Sequence, residues 1–347
     1  MHLGILTLRN EAAFLLEWLA HHKAVGLDHA LVFTNDCQDG TDKMLDRLQE
    51  LGHVTHVRND GPYDKGGIQF TALKAAAKTK LVKQADWILP LDIDEFVNIH
   101  TGDGTFADLH AALPDATAIT LTWRLFGNAG VARYEDANVT DTFTRCAPTV
   151  FFWPWRAAMF KTLYRNDGTY KKPGVHRPRD PDHGKLADAK WFDGEGRALD
   201  DQFKTRRIFS QYGRSNHALV QLNHYPLGAM ESYVLKADRG RAVHSDDLLG
   251  LDYWTERNFC GHEDLSIRRY SEARDAALAD LKADDRLAEL HETAVAWRKE
   301  RFDALMLQEP FRALFGRLLM ASPTREVDQR WARMLMQYGT KARNTAS

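Results

Sequence analysis

The first 125 residues alternate short apolar runs with stretches of helical periodicity. Apolar runs typical of buried strands lie at residues 3–8, 30–34, 53–57, 87–91 and 118–126. Between them, apolar residues recur at helical spacing in residues 11–25, 41–51 and 69–85. Asn10 is a candidate N-cap of the first helix, and Gly26 is its candidate end. This order predicts an α/β fold in which helices cover both faces of a mainly parallel sheet.

The pattern changes after about residue 150. Residues 171–185 are rich in Pro, Gly and basic side chains, which predicts a loop. Residues 221–225, Gln221-Leu222-Asn223-His224-Tyr225, look like a returning strand. Apolar residues recur at helical spacing in residues 232–241 and from residue 264 to about residue 320, which predicts helices there.

The length and composition are those of a globular protein. With 347 residues, of which 44% are hydrophobic and 27% charged, the chain fits one large domain or two ordinary ones. We expect an α/β domain over residues 1–260 and a helical C-terminal extension over residues 261–347. The 46 Lys and Arg residues are balanced by 48 Asp and Glu residues. Because a general nucleic-acid binder has a basic surplus, we expect no nucleic-acid partner.

Three cysteines, Cys37, Cys146 and Cys260, bear on the cellular setting. They are too few and too far apart for a disulfide framework or a Cys-rich zinc site, and they suit a reducing cytoplasm. No apolar run approaches the ~20 residues of a transmembrane helix. Residues 1–8 lack the charged start and long apolar region of a signal peptide. We therefore expect a cytoplasmic protein.

Polar residues that follow predicted strands are the candidates for chemistry, because ligands of parallel sheets bind at the carboxyl ends of the strands. Asp92 and Asp94 follow the apolar run that ends at Leu91. Alternate residues of an extended segment point the same way, so both carboxylates can face one site. A divalent cation such as Mg²⁺ or Mn²⁺, with phosphate oxygens completing its shell, is the usual partner of such a pair. The alternative is two exposed acids that cap the next turn.

Three further segments carry weaker signals. Asp36 can accept a hydrogen bond from a base or a ribose hydroxyl, or form an ordinary turn. Lys65, followed by two glycines, offers charge to a phosphate, although the same segment also suits a plain loop. His224, in the predicted returning strand, is a possible third ligand for Mn²⁺ or a structural hydrogen-bonding residue.

Taken together, these segments resemble glycosyltransferase family 2, the inverting enzymes of the GT-A fold, and in particular the branch that includes the family 92 galactosyltransferases. The resemblance runs from residue 3 to about residue 270. Its segments are Thr7-Leu8-Arg9-Asn10-Glu11, Asn35-Asp36 with Asp39-Gly40-Thr41, Lys65-Gly66-Gly67, and Trp87-Ile88-Leu89-Pro90-Leu91-Asp92-Ile93-Asp94-Glu95-Phe96. Later matches are Trp123, Phe126-Gly127, Lys161, His176, His224-Tyr225, Lys236 and Arg239-Gly240.

The resemblance implies a nucleotide-sugar-dependent glycosyltransferase of the GT-A fold with a UDP-sugar donor. Residues 1–125 would form the nucleotide-binding half and residues 126–260 the acceptor half. Its implied donor-binding residues are Thr7, Arg9, Glu11, Asp36, Lys65, Asp92, Lys236 and Arg239, the last two neutralising the leaving diphosphate. Its implied ligands for Mn²⁺ (or Mg²⁺) are Asp94 directly, Asp92 as a bridge to ribose or metal, and His224 from a distant strand.

The resemblance also suggests residues for the catalytic base and the acceptor. Glu263 and Asp264 look like the late Glu-Asp motif that supplies the base in family 2, and the alternative is acids at the start of a long helix. For a glycan or lipid-linked acceptor, the candidates are Trp123, Phe126, Lys161 and His176, which could otherwise be packing or loop residues. The amphipathic, basic segment 311–319 could lie on the inner face of a membrane or pack on the domain.

Other functions fit the sequence less well. A haloacid-dehalogenase-type phosphatase also has an Asp-x-Asp after a strand, but it needs Thr or Val where Phe96 stands. A sugar nucleotidyltransferase needs a Gly-rich loop after the first strand, and residues 7–11 contain no glycine. A catalytically inactive carbohydrate-binding or scaffold protein stays open as an alternative.

Overall fold

The computed structural model describes residues 1–63, 66–240 and 249–345. The strands are β1 (His2–Leu8), β2 (His29–Thr34), β3 (Val54–Arg58), β4 (Trp87–Pro90), β5 (Glu95–Ile99), β6 (Ala118–Leu125), β7 (Arg145–Cys146), β8 (Phe160–Arg165), β9 (Tyr170–Lys172), β10 (Arg179–Pro181), β11 (Trp191–Asp193), β12 (Val220–His224) and β13 (His262–Glu263). The helices are α1 (Ala12–Val25), α2 (Thr41–Glu50), α3 (Ile68–Ala76), α4 (Lys80–Gln84), α5 (Phe106–Ala112), α6 (Val139–Thr142), α7 (His183–Leu186), α8 (Asp201–Thr205), α9 (Met230–Arg239), α10 (Leu251–Thr255), α11 (Ser271–Lys282), α12 (Asp285–Met306), α13 (Glu309–Met320) and α14 (Gln329–Thr345). Trp155–Ala158 and Ser266–Tyr270 form 3₁₀ turns.

One mixed sheet organises the molecule. Its strand order is β3-β2-β1-β4-β8-β6-β12-β5, and β11 also pairs with β6. The pairs β1–β2, β2–β3, β1–β4, β6–β11 and β6–β12 are parallel, whereas β8 runs antiparallel to β4 and β6, and β5 runs antiparallel to β12. The predicted fold class, a GT-A type α/β sheet flanked by helices with further helices at the C-terminus, is confirmed.

Both faces of the sheet are buried, which explains the continuous apolar character of β1. Leu6 and Leu8 belong to the cluster that includes α1 and α2. Leu3 and Ile5 point to the opposite face and pack in the cluster that includes α3. A strand covered on both sides has no polar face, so it lacks the alternation of a half-exposed strand.

The start of α1 differs from the sequence expectation. Asn10 was predicted as the N-cap, and this prediction is wrong because the helix begins at Ala12. Asn10 lies in the left-handed region with φ of 56°, and its Oδ1 accepts a hydrogen bond from the Gln38 backbone. The Asp39 carboxylate, from the loop after β2, accepts instead from the Ala12 N–H at 2.9 Å. A side chain remote in sequence therefore caps α1.

Three other elements were not anticipated. The predicted helix over residues 69–85 is two helices, α3 and α4. Thr79 lies between them and caps α4 by accepting from the Val82 N–H at 3.2 Å. The predicted loop over residues 171–185 contains the pair β9–β10 and the short helix α7. Strand β5 follows directly after Asp94, where no strand was predicted.

The C-terminal helices pack against the rest of the chain. Helix α12 contacts α1, α2 and α9, and Leu287 near its start is fully buried. At its N-cap, Asp284 accepts two hydrogen bonds from Arg47 of α2, at 2.6 and 3.2 Å. Helix α13, which contains the amphipathic segment 311–319, buries Leu314 and Leu318 in a cluster with α9. A domain boundary at residue 260 stays a prediction.

None of the helices in the described ranges is long and apolar enough to span a membrane.

Candidate active site

The Asp92–Asp94 segment is a turn between β4 and β5. The Asp92 N–H donates to the Glu95 carboxylate at 2.8 Å, and the Glu95 N–H donates to the Asp92 carbonyl at 3.1 Å. We expected an extended segment whose two carboxylates share one site. The turn instead gives them different partners. Asp92 accepts from Lys161 at 2.8 Å and from Gln69 at 3.1 Å.

Asp94 faces the end of β12. Its Oδ2 accepts from Lys236 of α9 at 2.8 Å, and its Oδ1 lies 3.6 Å from His224 Nε2. The antiparallel pairing of β12 with β5 aligns His224 with Glu95, which brings the imidazole to this position. Burial raises the pKa of the Asp94 carboxyl. The neighbouring Lys236 and His224 outweigh this effect and hold that pKa well below its usual range. Burial lowers the pKa of His224.

A buried charge cluster lies beside the turn. Lys161 and Glu95 are fully buried, and the Lys161 ammonium lies 2.8 Å from Asp92 and 3.5 Å from Glu95. Burial raises the pKa of Glu95, and the nearby charge of Lys161 opposes that effect. The other oxygen of Glu95 accepts from the indole of Trp123 at 2.6 Å. Glu95 and Gln69 were missed as site residues, because strand β5 and the contact of α3 with Asp92 were not foreseen.

The candidate acceptor residues differ in how close they lie to this cluster. The Trp123 ring lies 4.3 Å from the ring of His224 and 5.7 Å from the ring of His176. His176 Nδ1 forms a hydrogen bond with the Phe160 carbonyl at 3.0 Å, and burial lowers the pKa of its imidazole. Phe126 is buried against Tyr225, with ring centroids 4.7 Å apart. The structure therefore brings Trp123 and His176 to the site and places Phe126 in the core.

The first loop is joined to the end of α9. Arg239 donates to the Arg9 carbonyl at 2.9 Å and forms an ion pair with Glu11. Arg9 in turn donates to the Arg239 carbonyl at 3.3 Å. These reciprocal bonds place two donor-site candidates, Glu11 and Arg239, next to Lys236, which lies on the same helix.

The nucleoside candidates lie at the carboxyl ends of neighbouring strands. Thr7 of β1 pairs in register with Phe33 of β2, and Asp36 follows the end of β2. Asp36 is exposed, has φ of 46°, and accepts from the side chain of Asn35 at 3.0 Å. Lys65, the remaining donor candidate, lies outside the described residues.

The two candidate bases lie away from Asp94. Asp264 accepts from the Ser266 N–H and from Gln221, both at 2.9 Å, so it caps the 3₁₀ turn that follows. Gln221 is three residues before His224 on β12, or about 10 Å along the strand. Glu263 is exposed in β13. The structure does not bring Asp264 or Glu263 together with Asp94 and His224.

A cavity of about 440 Å³ opens on the α1 side of the Asp92–Asp94 turn. Its charged end contains Asp94, Glu11, Lys236 and Arg239. Its walls are mainly apolar and include Phe14, Val131, Tyr134, Val139, Leu227, Leu235 and Trp297, with Arg298 beside them. Sequence reasoning missed these walls, because no local pattern shows that residues 131–143 and α12 meet α1.

The sequence comparisons identify the class. Residues 5–184 match the profile of glycosyltransferase family 92. The chain belongs to this family, and the prediction of a glycosyltransferase is confirmed. It is 26% identical over 143 residues to a glycosyltransferase family 92 protein of Oryza sativa subsp. japonica, and 26% identical over 148 residues to one of Ricinus communis. These matches cover 40% and 39% of this chain, but only 23% and 24% of the relatives' lengths.

Solved structures with low similarity were also found. S. aureus TarS 1–349 in complex with UDP-GlcNAc has a TM-score of 0.34 and 14% sequence identity, and the match covers 88% of this chain and 83% of that one. The mannosyltransferase PcManGT from Pyrobaculum calidifontis, in complex with GDP-Man and Mn²⁺, has a TM-score of 0.29 and 15% identity, with 91% and 83% covered.

Proposed function

We propose that this chain transfers a sugar from a UDP-sugar to a hydroxyl group of a glycan or lipid-linked acceptor, with inversion and with Mn²⁺ (or Mg²⁺) as cofactor. The observation that carries the proposal is the meeting of Asp94 with His224 and Lys236, of which Asp94 and Lys236 line the cavity. A carboxylate and an ammonium therefore face the space that a nucleoside diphosphate would enter, with an imidazole beside the carboxylate. Family membership supports the transferase class and leaves the phosphatase alternative without support.

The metal proposal rests on the chemistry of the donor set. A carboxylate and an imidazole suit Mn²⁺. His224 Nδ1 is buried without a hydrogen-bond partner among the described residues, and its Nε2 faces Asp94. In the described ranges, no group of three or more His, Cys, Asp and Glu side chains is arranged to hold a metal. Asp94 and His224 would therefore hold the ion together with oxygens of the donor. When bound, the ion would supply positive charge that stabilises the leaving diphosphate.

The chain's own residues supply the rest of the donor site. We assign Thr7, Arg9, Glu11 and Asp36 to the nucleoside, because they lie at or just after the carboxyl ends of β1 and β2, where ligands of parallel sheets bind. Asp92, held by Lys161, would face the ribose, and Lys65 stays a candidate for binding the donor phosphates. Lys236 and Arg239 place two cations beside Asp94, where negative charge develops on the leaving group.

On the acceptor side, we assign Trp123 and His176, which adjoin His224. Lys161 and Phe126 are left out of this assignment because both side chains are buried. The base must lie within hydrogen-bond reach of the acceptor hydroxyl. Asp264, which bonds to Gln221, and the exposed Glu263 of β13 do not contact Asp94 or His224 and are left out. Membrane contact by residues 311–319 is also left out, since Leu314 and Leu318 are buried. The free cysteines Cys37, Cys146 and Cys260 support a cytoplasmic location.

Calorimetric titration of UDP tests the donor proposal. We expect UDP to bind in the presence of Mn²⁺. EDTA or Asp94→Asn should raise the Kd of UDP about tenfold or more, because loss of the metal removes a charge-assisted contact to the phosphates, and such a contact has that size. The matched control is Asp115→Asn, which removes an exposed acid paired with Lys190.

Two results would contradict the proposal. One is no UDP binding in any condition, and the other is equal binding by the wild type and the Asp94 variant. UDP binding without any transfer or hydrolysis of UDP-sugars would favour the inactive scaffold.

A further inference from the structure

Arg298 on α12 reaches the wall of the cavity from the C-terminal part of the chain. The residue is only 5% exposed. Its guanidinium carbon lies 4.5 Å from the ring centre of Phe14 and 4.7 Å from that of Tyr134. The cation lies over both rings, which contact each other edge to face with centroids 6.0 Å apart, so it is held in a defined position.

This guanidinium lacks an anionic partner in the part of the chain that the structure describes. Its Nε is buried without a hydrogen bond, and no described carboxylate forms an ion pair with it. Four nearby acids bond to other groups: Glu11 to Arg239, Asp94 to Lys236, Asp238 to Arg301, and Asp39 to Thr41 and Ala12. Glu135, which also lines the cavity, forms no ion pair with Arg298 within the described residues. Burial lowers the pKa of Arg298 accordingly. Burying an unpaired charge is costly, so the position calls for a ligand that supplies the missing charge.

We propose that Arg298 binds an anionic group of the acceptor, a carboxylate or a phosphate, inside this cavity. The proposal rests on the proposed glycosyltransferase function for the identity of that ligand as the acceptor. A guanidinium presents paired N–H donors that match both anions in a two-point contact. The apolar walls around it, including Leu227, Leu235 and Trp297, would cover the body of the same molecule.

The arrangement of the other cations favours the acceptor over the donor diphosphate. Lys236 bonds to Asp94 directly, and Arg239 bonds to Glu11 and to the Arg9 carbonyl. Arg298 forms no ion pair with a described carboxylate and lies over Phe14 and Tyr134 in the wall of the cavity. We therefore assign Lys236 and Arg239 to the diphosphate and Arg298 to the acceptor.

Binding of three small probes tests the proposal. Calorimetry or saturation-transfer NMR compares glucuronate, glucose 6-phosphate and glucose, each with and without UDP and Mn²⁺. We expect at least one anionic sugar to bind about tenfold more tightly than glucose, the size expected for a charge-assisted pair. Which anion binds better identifies a carboxylate or a phosphate acceptor. The wild-type comparison needs no variant, so it tests the anion preference even if a variant fails to fold.

Variants then assign the preference to Arg298. Arg298→Gln should abolish it, and Arg298→Lys should weaken it, while UDP affinity stays unchanged in both. The control is Arg286→Gln on the same helix, where an exposed arginine pairs with Glu289.

Three results would overturn the inference: no preference of the wild type for either anion, a preference that survives Arg298→Gln, or a tenfold loss of UDP affinity in that variant, which would assign the residue to the donor. Because the anion preference is also measured without UDP, failure of the donor proposal is distinguished from failure of this one.

Discussion

Lys161 shows how a single buried charge determines the geometry of the site. The side chain is fully buried, and its ammonium bonds to Asp92 at the surface of the turn and lies 3.5 Å from Glu95 beneath it. Asp92 and Glu95 together raise the pKa of this amine although burial lowers it. Asp92 is thereby bonded to Lys161, whereas Asp94 bonds to Lys236, so the two carboxylates of the motif have different partners.

Replacing Lys161 by Met should destabilise the fold strongly. The variant leaves Glu95 buried without its counter-charge, and loss of one partner of a buried pair costs about 3–5 kcal/mol. Urea unfolding followed by circular dichroism measures the change. Lys190→Met, which removes an exposed partner of Asp115, is the control and should cost about 0–1 kcal/mol. A loss as small as that of the control would show that the buried cluster contributes nothing to stability.

At this scale the sequence was informative where chemistry coincides with strand ends. Asp94 follows the apolar run of β4 and His224 ends β12, so the sequence could suggest both as site residues, and their side chains meet in the structure. The partnership of Asp92 with Lys161 could not, since it depends on how β8 lies next to β4. Arg298 could not be anticipated either, because its periodic position on α12 is that of an ordinary packing residue.

At the scale of elements, local pattern was sufficient for the first half of the sheet and insufficient for the second. Strands β1 to β4 are apolar runs separated by helices, and all four lie where the apolar runs predicted strands. Strand β5 was missed because it begins directly after a turn of charged residues. Its place beside β12 is fixed by pairs such as Val97 with Leu222, which lie far apart in sequence.

Helix α12 should be part of the main folding unit. Leu287 is fully buried in the cluster that also includes α1 and α2. We expect Leu287→Ala to lower the free energy of unfolding by about 2–5 kcal/mol, because it leaves a cavity in that core. The control Leu307→Ala, at a position 84% exposed, should change it little.

Urea unfolding of both leucine variants, followed by tryptophan fluorescence, makes the measurement. A single transition that shifts as a whole is expected. Two transitions, of which Leu287→Ala moves only one, would instead support an independent C-terminal extension.

At the scale of the whole molecule, buried histidines connect stability to pH. Burial lowers the pKa of His21 and of His217 to about 4. In the unfolded chain these groups titrate near 6.5. Between about pH 4 and pH 6.5 the unfolded state therefore binds protons that the folded state does not bind. The contribution of these histidines to the free energy of unfolding is fully present above about pH 6.5 and is lost as the pH falls toward 4.

His21→Gln should make the protein less sensitive to acid. The glutamine amide can still donate to the Val97 carbonyl, which His21 Nε2 contacts at 2.8 Å, but it does not titrate. We expect the fall in unfolding free energy between pH 7 and pH 4 to shrink by up to about 3 kcal/mol in this variant. Urea titrations at several pH values measure it, with the exposed His183→Gln as control. An unchanged pH slope would contradict the assignment.

The pairing of β12 with β5 has a consequence for synthesis of the chain. Within the described structure, β5 has no sheet neighbour except β12. Ribosomes add about 5–20 residues per second, so β5 waits roughly 6 to 24 seconds between its own emergence and that of β12. Throughout that time the nascent protein presents an apolar edge with free backbone groups, open to chaperones and to other chains. Asp94 and His224 can therefore meet only after β12 has been synthesised and has paired with β5.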